Sequence, residues 1–290
     1  MLKTWLLAAR PKTLFASVCP VVIGSAMAFR DRGFHAPSAL AALIGAVAIQ
    51  IGTNFCNDYF DFRQGADTDE RKGPTRAVQA GLILPQIMLT ATAITFLVAA
   101  VVSGYLVFRA GWPIVVIGIV SIGSGIWYTA SRFSLAYLGL GDLFVLVFFG
   151  PVAVVGTYFV QTLTVAEDVL IAGLAPGFLS VAILVVNNLR DIVEDERAEK
   201  RTLAVRFGPN FARWEYLVCV IIAAAIPPCL WLAYDWPTII VTSSFAVSPG
   251  FILARLLFQE QGRALNSLLG KTAAVLLLYS ITFSTLCILT

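Results

Sequence analysis

Apolar runs of about 20 residues recur along this chain, and each is long enough to cross the ~30 Å hydrocarbon layer of a bilayer. That repetition leaves few architectures open. Runs of this length and composition read as membrane-spanning helices. The expected spans are 13–30, 37–60, 82–107, 113–131, 138–161, 168–190, 212–233, 237–257 and 268–288. Composition agrees, with 59% hydrophobic and 13% charged residues, where a soluble domain carries roughly 25% charged. The fold class is therefore all-α: a polytopic membrane protein of about nine transmembrane helices. Residues 1–290 form one transmembrane domain, with no room for a separate soluble unit.

Most connections are short, and the long charged ones are 61–81, 191–211 and 258–267. The positive-inside bias sets the orientation. With a cytoplasmic N-terminus, 17 of the 20 Lys and Arg residues fall inside, leaving Arg30, Arg32 and Arg109 outside. The expected location is the cell (plasma or inner) membrane, with the N-terminus and the long loops cytoplasmic. Lys3, Arg10 and Lys12 before an apolar stretch ending Ala26-Met27-Ala28 mimic a cleavable leader. An uncleaved first helix is the expectation, since eight further spans make a removable leader unnecessary. The basic residues sit in short loops, which excludes nucleic acid as a partner, and no protein partner is required. Five cysteines form no CxxC pair and read as packing residues. The single histidine, His35, rules out a multi-histidine metal site and a Ser-His-Asp triad on the acidic loops.

Two acidic clusters carry the chemistry. The first runs from Gly52 to Gly81 and contains Asn54, Asn57, Asp58 and Asp61, which fall within about a 100° arc of one helix. The second runs from Asn187 to Gly208, where Asn187, Asp191 and Asp195 step by four along one stripe. The clusters lie four helices apart, both at the inner ends of outside-to-inside spans, as a faint internal repeat. Ionisable groups at such positions are costly unless they bind something. Carboxylate and amide oxygens without His or Cys suit Mg²⁺, which bridges a few carboxylates to phosphate oxygens. Two facing stripes would hold about two such ions and clamp a diphosphate between them. Arg71, Lys72 and Arg76 after the first stripe, and Lys200 and Arg201 after the second, would take the remaining phosphate charge. The competing reading is that these are solvated loop edges. Asparagines inside the span, in two clusters on one membrane face, favour the site.

Asn57-Asp58-Tyr59-Phe60-Asp61 with Asp67, together with Asp191-x-x-x-Asp195, resembles the two aspartate-rich motifs of the UbiA superfamily of intramembrane prenyltransferases. Ala9-Arg10-Pro11-Lys12-Thr13, the stretch from Leu135 to Gln161 and Leu265–Thr272 look more specifically like the branch that prenylates 1,4-dihydroxy-2-naphthoate in menaquinone biosynthesis. The resemblance spans nearly the whole chain in matching order. It implies helices around a central, lipid-accessible cavity capped by cytoplasmic loops. By the same likeness Asn57, Asp61, Asp191 and Asp195 are the principal Mg²⁺ ligands, with Asn54, Asp58 and Asn187 close by. Arg132 stands where other members carry a diphosphate-binding base, and Asp142 stands where a Glu is expected. Lys12 or Arg10 would hold a substrate carboxylate or act only as an anchor at the membrane face.

The reaction so implied joins a polyprenyl diphosphate to dihydroxynaphthoate, with loss of diphosphate and CO₂, to give demethylmenaquinol. Asp61 and Asp191 are the residues on which turnover depends, and a carboxylate such as Asp191 would accept a phenolic proton. Tyr59, Phe60, Trp127 and Tyr128 are candidates to face the allylic cation. The alternatives are another aromatic acceptor, such as 4-hydroxybenzoate or homogentisate, and an ion-coupled transporter. A transporter would place polar groups and helix breaks at mid-span.

Overall fold

The structure, a computed structural model, describes residues 2–65, 73–131 and 134–290; among these it holds helices and no strand. In chain order they are α1 (Leu2–Ala9), α2 (Pro11–Arg30), α3 (Ala36–Arg63), α4 (Pro85–Ala110), α5 (Trp112–Trp127), α6 (Gly141–Val147), α7 (Ala153–Thr162), α8 (Glu167–Arg190), α9 (Ile192–Arg197), α10 (Leu203–Tyr234), α11 (Ser248–Leu257) and α12 (Leu265–Leu289). A wide turn, Phe148–Val152, joins α6 to α7, and a tighter helix, Thr238–Val247, leads into α11.

Among the described residues eight spans are long and apolar enough to cross a membrane. They are α2, α3, α4, Gly141–Thr162, α8, α10, Thr238–Leu257 and Gly262–Leu289. The ninth expected span is α5, at 16 residues about 24 Å long, so it falls short of the full hydrocarbon layer. α10 begins well before the expected 212. Thr202 caps it by accepting from the Val205 N–H at 3.3 Å, and the chain bends at Gly208 (φ 85°, ψ 171°) before the apolar part begins. The first turns are too polar to count as membrane-spanning, which is why hydropathy misses them. Proline in the first two positions starts α2, α3, α4, α5 and α11, where a missing N–H costs no helical hydrogen bond.

α8 is the central helix, with 72% of its apolar window buried against 17% for α4. α6, the Phe148–Val152 turn, α10 and α12 all pack on it, while α2 packs on α7 and α12, and α3 on α4. Leu179 and Val186 of α8 meet Tyr216 and Leu230 of α10, Tyr279 and Phe283 of α12, and Ile23 and Met27 of α2 in one core. α4 turns Ile94, Leu97, Val101 and Phe108 outward, as a lipid-facing helix must.

Lipid tails are as apolar as leucine, so helices in a bilayer associate through close packing of small residues. The α6–α8 crossing shows this directly. The helix breaks at Gly150 (φ −114°, ψ −110°), and the break fits against Gly173 and Gly177. A Cβ on Gly177 would stand 2.7 Å from the Leu146 carbonyl and 3.1 Å from Gly150 Cα. Gly177→Leu should therefore lower the thermal unfolding midpoint in detergent, by the equivalent of about 1–3 kcal/mol of overpacking. Gly104→Ala, where nothing lies within 4 Å of the new Cβ, should leave it unchanged. Equal midpoints for the two variants would contradict this crossing.

Candidate active site

The last turns of α3 carry Asn54, Asn57, Asp58 and Asp61, all buried. Although they share one stripe, their contacts divide them. Asn54 donates to the Ala9 carbonyl (2.9 Å) and the Thr13 hydroxyl (3.2 Å), pinning the α1–α2 junction. Arg10 sits in that junction with left-handed backbone (φ 51°, ψ 69°), a conformation a side chain adopts only at a cost. Asn57 accepts from the Thr129 hydroxyl at 2.6 Å. Asp61 accepts from Arg76 Nη2 and from Lys200 Nζ, both at 2.9 Å.

The second stripe is built around Arg190, which is 2% exposed. Its guanidinium forks onto Asp191 with contacts of 2.7 and 2.6 Å, and also reaches Asn187 Oδ1 (2.8 Å) and Asn266 Oδ1 (2.9 Å). Planar, bidentate geometry of this kind holds a carboxylate in one orientation. α8 stops at Asp191, and α9 swings Glu194 and Asp195 over the same end of the bundle. The chain then reverses at Glu199 (φ 61°), and Lys200 N–H donates to the Asp195 carbonyl at 2.8 Å. Lys200 thus crosses from the second stripe to Asp61 on the first. Burial works against its charge, but Asp61 and Asp195 outweigh burial and hold its pKa above the ordinary lysine value.

Asn54, Asn57, Asp61, Arg76, Asn187, Asp191, Asp195 and Lys200 all line one cavity of about 370 Å³ between α2, α3, α5, α6–α7 and α8. Its deeper wall is apolar, including Leu106, Ile117, Phe148 and Val152. Three expectations are corrected. Asp58 does not line the cavity; its carboxylate accepts the backbone N–H groups of Ala77 (3.1 Å) and Val78 (3.3 Å), tying down the segment that carries Arg76. Lys12 does not line it either, and lies against α12 beside Gly270. Arg201 is exposed and outside the cavity. Of the aromatic residues considered, Tyr128 lines the cavity and Tyr59, Phe60 and Trp127 do not, whereas the stacked pair Phe144 and Phe148 does. Arg71, Lys72, Asp67 and Arg132 lie outside the described residues.

Sequence reasoning missed Arg190 and Glu194 as site residues. Arg190 falls three residues after Asn187 on the same helical face, a spacing that marks it in retrospect. Glu194 was hidden in the dense charge of Glu194–Lys200. Among the described residues, Glu194 Oε2 and Asp142 Oδ1 are buried oxygens without a hydrogen-bond partner. The donor set fits Mg²⁺: Asp61, Asp191 and Asp195 with the amide oxygens of Asn57 and Asn187, and no His or Cys among them. Among the described residues no three acidic, His or Cys side chains gather into a ready metal cage. That suits an ion that keeps several waters and completes its shell with substrate phosphate oxygens.

Comparison with known proteins identifies the family and the fold. The profile of the UbiA prenyltransferase family matches residues 17–287. The chain is 41% identical over 236 residues to a 1,4-dihydroxy-2-naphthoate octaprenyltransferase of Mycobacterium tuberculosis, covering 80% of this chain and 79% of that one. It is 33% identical over 297 residues to the protein of the same name from Haemophilus influenzae, covering 98% and 95% of the two chains. A solved UbiA homolog from Archaeoglobus fulgidus, bound to GPP and Mg²⁺, superposes with a TM-score of 0.66 over 99% of this chain and 100% of that one. At 14% identity that likeness is one of fold.

The Arg190 fork makes a stability prediction. Removing one partner of a buried pair leaves an uncompensated charge, at a cost of about 3–5 kcal/mol. Arg190→Met should lower the thermal midpoint by several degrees, whereas Arg201→Met should not move it. Equal midpoints for the two variants would show that the Arg190–Asp191 pair does not organise the α8 tip.

Proposed function

Because the chain belongs to the UbiA prenyltransferase family, we propose that it transfers a polyprenyl group from an allylic polyprenyl diphosphate to 1,4-dihydroxy-2-naphthoate. Diphosphate and CO₂ leave, and the product is demethylmenaquinol. The naphthoate acceptor comes from the relatives just described. The observation that carries the rest is that α3 and α8 end on one cavity, with Lys200 reaching from one tip to Asp61 on the other.

Asp61, Asp191 and Asp195, with Asn57 and Asn187, would hold about two Mg²⁺ ions. When bound, Mg²⁺ neutralises the diphosphate and stabilises the charge that grows as it departs. Arg76 and Lys200 lie at the same pole and bind the phosphate oxygens more tightly as that charge develops. Arg190 keeps Asp191 turned toward the cavity. Arg10 holds the acceptor carboxylate, since it lines the cavity and Lys12 does not. The apolar wall takes the prenyl chain and keeps water from the allylic cation, while Tyr128, Phe144 and Phe148 present ring faces to it.

The whole chain, residues 1–290, works as one domain in the cell membrane, with the polar end of the cavity cytoplasmic. An ion-coupled transporter gains no support. The mid-span break at Gly150 is filled by the glycines of α8 rather than by ionisable side chains.

Purified protein given Mg²⁺, a polyprenyl diphosphate and dihydroxynaphthoate should yield a prenylated, decarboxylated product by mass spectrometry. Asp61→Ala and Asp191→Ala should each reduce turnover by more than about 100-fold while the helical content of the bundle is kept. No product from folded wild-type protein with any phenolic acceptor would defeat the proposal, and full activity in both variants would remove these residues from the site.

A further inference from the structure

The cavity carboxylates differ in what already holds them. Asp61 is engaged by Arg76 and Lys200, and Asp191 has both oxygens in the Arg190 fork. A carboxylate bound this way has its oxygens already taken by charge-assisted hydrogen bonds. Asp142 is different. It stands in the first turn of α6, is 7% exposed, lines the cavity, and among the described residues finds no hydrogen-bond partner for Oδ1. Among the described residues no cation pairs with it. A buried carboxylate oxygen left unsatisfied is costly, and a site that tolerates one has room for a donor that arrives with a ligand.

Its surroundings say which donor. Position 141 is wedged between α5 and α8: a Cβ there would stand 3.0 Å from the Tyr128 hydroxyl and 3.6 Å from a Leu184 methyl. Leu184 is one turn before Asn187 and Asn188, which also line the cavity. Asp142 therefore sits on the wall between the phosphate pole and the apolar chamber, where an acceptor ring must lie to meet the prenyl carbon. Tyr128, just after α5, and Glu215 and Cys219 on α10 are the titratable neighbours within electrostatic reach, and neither Glu215 nor Cys219 lines the cavity.

We propose that Asp142 is the proton acceptor for a ring hydroxyl of the aromatic acceptor, an inference that rests on the prenyl transfer proposed above. The allylic C–O bond breaks and its electron pair leaves with diphosphate. The unsubstituted ring carbon beside the hydroxyl bonds to the prenyl carbon, the O–H pair becomes part of a C=O bond, and the proton passes to Asp142. The second ring hydroxyl ketonises, its proton moving to the carbon that bears the carboxylate. Loss of CO₂ then leaves its electron pair in the enolate of that carbonyl. Asp142 returns its proton to the carbon, and enolisation of the diketone restores the hydroquinone. Without this acceptor the attacking ring would carry a full positive charge in an apolar chamber.

The test uses full-length protein in detergent with Mg²⁺. Asp142→Asn should lower kcat for the naphthoate by at least about 100-fold, while Kd for a prenyl thiodiphosphate stays within about twofold of wild type. Asp142→Glu, which restores a carboxylate, should recover at least about tenfold over Asn. Should Asp142→Asn fail to fold, Asp142→Ser takes its place with the same readouts. Wild-type kcat in the Asn or Ser variant overturns the proposal. A parallel loss of thiodiphosphate binding also overturns it, because a purely structural role would produce that pattern. An inactive wild type defeats the underlying transfer reading as well, so the two failures are distinguishable.

Discussion

Charge at the end of a membrane-spanning helix has to be answered by opposite charge or by hydrogen-bond donors, and this protein answers it with opposite charge twice at the same place. Asp61 at the tip of α3 is met by Arg76 from the following segment and by Lys200 from beyond α8. Asp191 at the tip of α8 is met by Arg190 from its own helix. These pairs bring two distant stretches of sequence onto one cavity. A buried ion pair is weak evidence for stability, since desolvation offsets much of the attraction. The proposed function would account for its persistence: with a diphosphate and its metal ions bound, the carboxylates would have cations other than Arg76 and Lys200, and those bases would have phosphate oxygens.

The opposite end of the bundle offers a contrast. Arg30 pairs with Asp31 at 2.7 Å and Asp168 at 2.8 Å, Tyr158 and Trp236 donate to the same two carboxylates, and Arg30 stacks over the Trp236 ring. That cluster ties α2, α7 and α8 together away from the cavity, and its polar groups are spent on one another. Among the described residues the cavity end leaves oxygens of Asp142 and Glu194 unmatched. The difference between a closed polar lock and an open polar site is visible in the hydrogen bonds alone.

Much of this was legible in the sequence because lipid imposes such strict terms. Helix positions followed from apolar length, and the meeting of the α3 and α8 tips followed from their shared direction across the bilayer. Periodicity placed Asn54, Asn57, Asp58 and Asp61 on one arc, but an arc of about 100° is wide enough to face two neighbours. Asp58 turns to the backbone of Ala77 and Val78, and Asp61 to the cavity, and only tertiary structure separates them. Lys12, Arg201 and Arg190 were misjudged for a related reason. Long basic side chains snorkel in any direction, so their position in sequence says little about where the charge ends up. α1, α9 and the start of α10 escaped because a search for membrane-length apolar runs is silent about helices too short or too polar to span.

The central claim is that two oxygen-rich helix tips share metal ions and one diphosphate. It is tested most directly by crystals soaked with Mn²⁺ and a prenyl thiodiphosphate, measured at the manganese anomalous edge. The account predicts anomalous peaks between the side chains of Asp61 and Asp191, with diphosphate density bridging the two stripes. Peaks confined to one stripe, or metal and diphosphate lying away from the cavity, would contradict it.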